Sequence, residues 1–175
     1  MKVLVVIDMQ NDFTTGVLGN EQTADVVERV AAKISDFRQS EPNSVIIATL
    51  DTHGADYLQT QEGRNLPVEH CIKDTRGWQL DPAVAAALGQ NFTTVEKGSF
   101  GSTDLPRVIA ENGFPDEIQM IGVCTDICVI SNAMILKAAF PEVPIRIIAN
   151  CCAGVTQQSH ENALSAMRAC QFIIE

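Results

Sequence analysis

Short apolar runs alternate with amphipathic segments along the whole chain. The runs are rich in Val and Ile and have the length of strands buried on both faces of a sheet. In chain order the pattern predicts strands at Lys2–Asp8, Ser44–Leu50, Phe92–Glu96, Glu117–Val123 and Pro144–Ala149, with a last edge strand at Gln171–Ile174.

The segments between these runs have the period of a helix. Apolar stripes predict helices at Thr23–Arg38, Leu105–Glu111 and Ser159–Arg168, while Ile127–Phe140 is apolar nearly all round, as in a helix packed on both sides. The alternation predicts an α/β fold: a doubly wound, mostly parallel sheet with helices on both faces, in three α/β/α layers. No linker or repeat interrupts it, so we expect one domain over residues 1–175.

Charge and composition narrow the range of partners. The net charge of −10 disfavours binding to nucleic acid or to anionic lipid. The apolar start, Met1–Ile7, is only about one strand long, and no later run could span a bilayer, so we expect a cytoplasmic protein with no membrane partner. Six cysteines without a C-x-x-C pair favour reduced thiols over disulfides.

Four chemically active side chains fall at the ends of consecutive strands. Asp8, Asp51 and Lys97 close the first three, and Cys128 lies just beyond the fourth. Because carboxyl ends of parallel strands meet at one edge, we expect them to gather there as a nucleophile with a base and a cation. The start of a helix favours an ionised thiol. The alternative is that Cys128 is a buried, unreactive thiol.

A second cluster lies after the second strand. Asp51 and His53 are followed, within the long irregular stretch Thr52–Leu80, by Glu62 and His70. Such a set suits zinc, iron or manganese with open positions for water and substrate. The alternative is a pair of solvated loop histidines.

Four motifs carry a resemblance to a known family. They are Val6–Phe13 around Asp8, Glu96–Thr103 around Lys97, Gly122–Val129 around Cys128, and the late stretch Cys151–Ala163. Through them the chain resembles the isochorismatase-like cysteine hydrolases and, among these, looks most like the nicotinamidases.

The resemblance implies a catalytic triad. Asp8 would take the proton of the Cys128 thiol, and Lys97 would stabilise the thiolate and hold Asp8 in place. It also implies a cis peptide bond between Val123 and Cys124, so that the backbone N–H groups of Cys124 and Cys128 form an oxyanion hole.

The resemblance further implies a divalent metal, zinc or iron or manganese, held by Asp51, His53, His70 and Glu62, and no organic cofactor. Phe13 and Phe100 would flank a flat substrate ring. The expected reaction is hydrolysis of a small amide through a thioester, with nicotinamide giving nicotinate and ammonia, in a homo-oligomer. One departure is Thr52, which stands where nicotinamidases usually have an aromatic residue.

Several alternatives stay open at this point. An isochorismatase would share Asp8 and Lys97 without needing the thiol, and a carbamoyl or ureido amidohydrolase would work without metal. A binding protein on the same fold would have no activity. A redox role for Cys124 and Cys128 is the weakest of these, because their spacing suits a disulfide less well than C-x-x-C.

Overall fold

The computed structural model describes residues 1–175 and contains one six-stranded sheet in the order β3-β2-β1-β4-β5-β6. Every neighbouring pair is parallel. The predicted fold class is therefore confirmed, and all six predicted strands are present. Their bounds are β1 (Lys2–Ile7), β2 (Val45–Asp51), β3 (Thr93–Lys97), β4 (Glu117–Val123), β5 (Ile145–Ala153) and β6 (Ile173–Ile174).

Helices cover both faces of the sheet. One buried apolar cluster joins the sheet to α3 and α5, and the other joins it to α6, α7 and α8. None of the helices is long and apolar enough to cross a membrane. Their bounds are α1 (Asn11–Thr14), α2 (Glu21–Asp25), α3 (Val27–Ser40), α4 (Gln61–Asn65), α5 (Pro82–Leu88), α6 (Leu105–Glu111), α7 (Ile130–Ala139) and α8 (Gln157–Ala169).

Several helical segments differ from the prediction, and the short helices α1 and α4 were not predicted. The expected helix Thr23–Arg38 is divided into α2 and α3, and it begins earlier because the Asn20 side chain accepts a hydrogen bond from the Thr23 N–H. The expected helix Ile127–Phe140 begins as a π-helical turn, Thr125–Val129, before α7. Helix α5 was not predicted, although an Asp cap followed by Pro at the first helical position signals it.

The strand order reverses between β1 and β4, and such a reversal opens a crevice at the carboxyl ends of the strands. The two strands approach closely here at Gly122, which has φ +117°. A Cβ at Gly122 would lie 2.1 Å from the carbonyl oxygen of Ile7, so only glycine fits. Asp8 follows β1 with φ 47°, a conformation that aspartate tolerates better than most residues. The chain therefore turns sharply at the crevice and presents Asp8 there.

Candidate active site

Asp8, Lys97 and Cys128 meet in the crevice. Lys97 is the last residue of β3, Asp8 follows β1, and Cys128 lies in the π-helical turn after β4. The Lys97 Nζ is 2.7 Å from Asp8 Oδ2 and 3.6 Å from Cys128 Sγ. All three residues are buried. The structure thus brings together an acid, an amine and a thiol from three separate strand ends.

The two oxygens of the Asp8 carboxylate have different surroundings. The Thr49 hydroxyl donates to Oδ1 at 2.7 Å and accepts the Asp8 N–H at 3.2 Å. Oδ2 lies against the Lys97 ammonium but accepts no well-aligned hydrogen bond. Oδ2 is therefore the oxygen that can take a proton. Sequence reasoning missed Thr49, because its role depends on the register that pairs it with Ile7.

The surroundings of the Cys128 thiol disfavour its ionised form. Burial, followed by the neighbouring charge of Asp8, raises the pKa of Cys128 well above its ordinary value, and the Lys97 charge opposes this only in part. Burial also raises the pKa of Asp8. The pKa of Lys97 is raised despite its burial, because Asp8, Cys128 and Asp51 surround it. Burial thus opposes the ionisation that a helix start favours, and Lys97 also pairs with the carboxylates of Asp8 and Asp51.

One backbone N–H beside the Cys128 turn has no hydrogen-bond partner. The peptide bond between Val123 and Cys124 is cis. The Cys124 N–H donates to no acceptor in the chain, although the residue is buried. A buried N–H without a partner is unusual, and it is available to an oxygen atom of a bound molecule.

Asp51, His53, Glu62 and His70 form a compact group of potential metal ligands. One ligand atom from each lies within 4.8 Å of all the others. Asp51 Oδ2 is 3.0 Å from His53 Nε2 and 3.4 Å from His70 Nε2, and Glu62 Oε1 is 3.7 Å from both nitrogens. The two histidines predicted from the loop are thus buried and face the carboxylates rather than solvent.

The donor chemistry of this group fits a divalent transition metal. His70 Nδ1 lies 2.8 Å from the carbonyl oxygen of Val68, which accepts its proton, so a cation would bind at Nε2 in place of the proton that Nε2 shares with Asp51. Two imidazole nitrogens with two carboxylates suit zinc, iron or manganese. Burial would raise the pKa of Asp51, but hydrogen bonds from His53 and His70 and the Lys97 charge hold it well below its usual value. Asp51 therefore stays ionised as a ligand should.

Asp51 belongs to both groups. Its Oδ1 accepts a hydrogen bond from Lys97 Nζ at 3.1 Å, while its Oδ2 faces the histidines. The Gln10 side chain fixes its backbone: Nε2 donates to the Asp51 carbonyl at 2.9 Å, and Oε1 accepts the Asp51 N–H at 2.7 Å. Sequence reasoning missed Gln10, although it lies in the motif around Asp8.

A cavity of about 260 Å³ opens onto both groups. Its wall is mostly apolar, and its polar residues are three of the four potential metal ligands, Asp51, Glu62 and His70, together with two cysteines. The lining residues are Phe13, Leu18, Asp51, Glu62, Leu66, His70, Phe100, Cys124, Ile127, Cys128 and Val155. Such a wall suits a small, flat, uncharged molecule. Trp78 is not part of it, because its indole N–H donates to the Thr52 hydroxyl at 2.9 Å.

The fold and this grouping define an α/β protein with a buried thiol, acid and lysine at the switch point of its sheet. The model of the isochorismatase domain matches residues 2–174. The chain therefore belongs to the isochorismatase family.

Relatives and solved structures agree with that assignment. The nicotinamidase/pyrazinamidase of Mycobacterium tuberculosis is 26% identical, over 96% of this chain and 95% of its own. The nicotinamidase/pyrazinamidase structure from Bacillus subtilis has a TM-score of 0.85 at 25% identity, covering 99% of this chain and 98% of its own. The pyrazinamidase of Pyrococcus horikoshii, solved in complex with zinc, has a TM-score of 0.84 at 24% identity, with coverage of 99% and 98%.

Proposed function

We propose that the protein is a cysteine-dependent amidohydrolase that converts a small aromatic carboxamide, with nicotinamide as the leading candidate, to its acid and ammonia. The observation that carries the proposal is the contact of Lys97 Nζ with both Asp8 Oδ2 and Cys128 Sγ beside an apolar cavity. The nicotinamidase/pyrazinamidase relatives, aligned over nearly the whole chain, support the choice of substrate.

In the first half of the reaction, Asp8 Oδ2 takes the proton of the Cys128 thiol as the sulfur attacks the amide carbon. A C–S bond forms, and the carbonyl electron pair moves onto oxygen, where the N–H groups of Cys124 and Cys128 stabilise it. When the electron pair returns, the C–N bond breaks, and Asp8 gives its proton to the departing ammonia. The Lys97 charge stabilises the transient thiolate that burial otherwise disfavours.

In the second half, Asp8 is again an anion and removes a proton from water. The hydroxide attacks the thioester carbon, and the resulting oxyanion occupies the same two N–H groups. The C–S bond then breaks, and the sulfur recovers the proton from Asp8. The balance is one amide and one water consumed, and one carboxylic acid and one ammonia formed.

The proposal includes a divalent metal held by Asp51, His53, Glu62 and His70. A cation there would supply a Lewis acid that fixes the ring nitrogen of the substrate. Three of these side chains, Asp51, Glu62 and His70, line the same cavity as Cys128, so a ring bound there could place its nitrogen at the cation and its carboxamide at the sulfur. Zinc is supported by the donor set and by the zinc complex of the Pyrococcus horikoshii pyrazinamidase.

This function accounts for more of the site than its alternatives do. An isochorismatase leaves the thiol without a role, a metal-free carbamoyl amidohydrolase leaves the four-residue ligand group without one, and a silent binding protein leaves the buried triad unexplained. We further propose that residues 1–175 act as one catalytic domain in the cytoplasm and that the enzyme is a homo-oligomer.

The test is ammonia release from nicotinamide, pyrazinamide and a carbamoyl amino acid, with and without chelator, using the wild-type protein and Cys128→Ala. We expect the wild type to turn over the two aromatic amides and to show a thioester adduct on Cys128 by mass spectrometry. Cys128→Ala should lose turnover while its circular dichroism spectrum stays unchanged. Retained activity in Cys128→Ala would refute the covalent route. Release from the carbamoyl compound alone, insensitive to chelator, would favour the metal-free alternative.

A further inference from the structure

Asn132 is a fully buried amide in the first turn of α7, a helix made mostly of apolar residues. It lies on α7, one helical turn after Cys128, and has no exposed surface. Burying an amide is unfavourable unless its hydrogen bonds are made, so its partners indicate what the residue is for.

The Asn132 side chain joins the turn of the nucleophile to the loop that follows β3. Its Nδ2 donates to the Cys128 carbonyl at 2.8 Å and to the Phe100 carbonyl at 3.1 Å. Its Oδ1 accepts the Ser102 N–H at 3.0 Å. Both amide protons and one lone pair are therefore used, and two of the three bonds go to the loop.

The same loop is pressed against α7 at Gly101. A Cβ at this position would lie 2.6 Å from Ile135 Cδ1 and 3.3 Å from Ser131 Cβ, so a side chain there would push the loop away from the helix. At its start, the loop also accepts a hydrogen bond from Lys97 Nζ, through the Ser99 carbonyl at 3.0 Å. The loop is thus attached to two parts of the candidate active site.

The attached loop carries Phe100, which forms part of the cavity wall. Like Phe13 it lines the cavity, yet 45% of its surface is exposed, so packing alone does not hold it. We infer that Asn132 is a positioning residue that fixes the loop carrying Phe100 relative to the turn carrying Cys128. It thereby sets how tightly a flat aromatic amide is held between the Phe100 ring and the sulfur. The inference deepens the proposed function and rests on it for the identity of the substrate.

Two substitutions separate the contacts of Asn132. In Asn132→Thr the hydroxyl can still donate to the carbonyl four residues earlier, Cys128, but it cannot reach the loop. In Asn132→Ala all three bonds are lost. The matched control is Leu136→Ala, which removes a fully buried side chain one turn further along α7 and so destabilises the same helix at a residue that does not line the cavity.

We expect Asn132→Thr to raise KM for nicotinamide about tenfold, the equivalent of one net hydrogen bond, with kcat within about twofold of wild type. Asn132→Ala should raise KM similarly and also lower kcat, because the Cys128 turn loses its bond as well. Leu136→Ala should lower the melting temperature and leave KM unchanged.

A second measurement does not depend on turnover. The rate of alkylation of Cys128 by N-benzyl iodoacetamide, divided by the rate with iodoacetamide, reports how well the cavity wall receives an aromatic ring. Mass spectrometry of the Cys128 peptide excludes the other thiols. Both Asn132 variants should lower this ratio several-fold, and Leu136→Ala should not. An unchanged ratio in both variants, or an equal fall in the control, would overturn the inference. Absence of amidase activity in the wild type would overturn the proposed substrate, while the ratio would still decide the role of Asn132.

Discussion

Replacing Lys97 by methionine should make the Cys128 thiol harder to ionise. The substitution removes the only cation in contact with the sulfur while keeping an unbranched side chain in a space where 1% of the lysine side chain is exposed. Burial and Asp8 already raise the pKa of Cys128, and Lys97 acts against them. Lys97→Met therefore leaves only groups that oppose the thiolate.

The size of the effect follows from the distance between charge and sulfur. At an effective dielectric constant of about 20, a unit charge 3.6 Å from the sulfur stabilises the thiolate by about 4–5 kcal/mol. This corresponds to about a thousandfold smaller thiolate fraction at a given pH.

The assay is the rate of Cys128 alkylation by iodoacetamide between pH 6 and pH 10, followed by mass spectrometry. The wild-type rate should rise with pH throughout this range, and the Lys97→Met curve should lie far below it. Lys97→Arg keeps the charge, and its curve should stay closer to that of the wild type. If the methionine variant folds poorly, the comparison of Lys97→Arg with the wild type still tests the role of the charge. Lys73→Met removes an exposed lysine from its pair with Glu96 and is the surface control. A Lys97→Met curve that coincides with the wild-type curve, or moves to lower pH, would refute the electrostatic role.

Three further outcomes are expected. His53→Ala should weaken binding of zinc, iron or manganese at least tenfold by isothermal titration, whereas His160→Ala, which alters the one histidine outside the ligand group, should leave it unchanged. Chelation should lower the melting temperature of the wild type and of His160→Ala, but not that of His53→Ala. Gly122→Ala should cost more than about 4 kcal/mol or prevent folding, whereas Gly89→Ala, also at positive φ but with open space around it, should cost about 1–2 kcal/mol in urea unfolding. Burial raises the pKa of Cys152 to about 12, so the folded state keeps a proton that the unfolded state loses above about pH 8.5. The free energy of unfolding should therefore fall between about pH 8.5 and 12. Cys152→Ala should make this fall shallower by about 1.4 kcal/mol per pH unit, measured by urea titrations under reducing conditions.

The sequence predicted the parts of the site that depend on strand ends. Asp8, Asp51 and Lys97 each follow a run with a clear period, and parallel topology is enough to bring such residues to one edge. Asn132 could not be found in this way, because it is one polar residue in a helix that is apolar nearly all round, and its partners come from a loop about thirty residues earlier. The direction in which the Cys128 pKa shifts could not be predicted from the sequence either. The helix start visible in the sequence favours ionisation of the thiol, whereas its burial, which only the structure shows, opposes ionisation more strongly.

The register of β2 explains why the thiol group and the metal group occur together. Thr49 and Asp51 are two residues apart and so point to the same face of the strand. Thr49 pairs with Ile7 and reaches Asp8, while Asp51 pairs with Lys97 and reaches its ammonium. A slip of β2 by one residue would turn both side chains to the opposite face of the sheet. Asp8 would then lose its hydrogen bond from Thr49, Lys97 would lose its contact with Asp51, and the group of potential metal ligands would lose Asp51. The two groups are therefore one structural unit, and a change that disturbs β2 should impair metal binding and thiol reactivity together rather than separately.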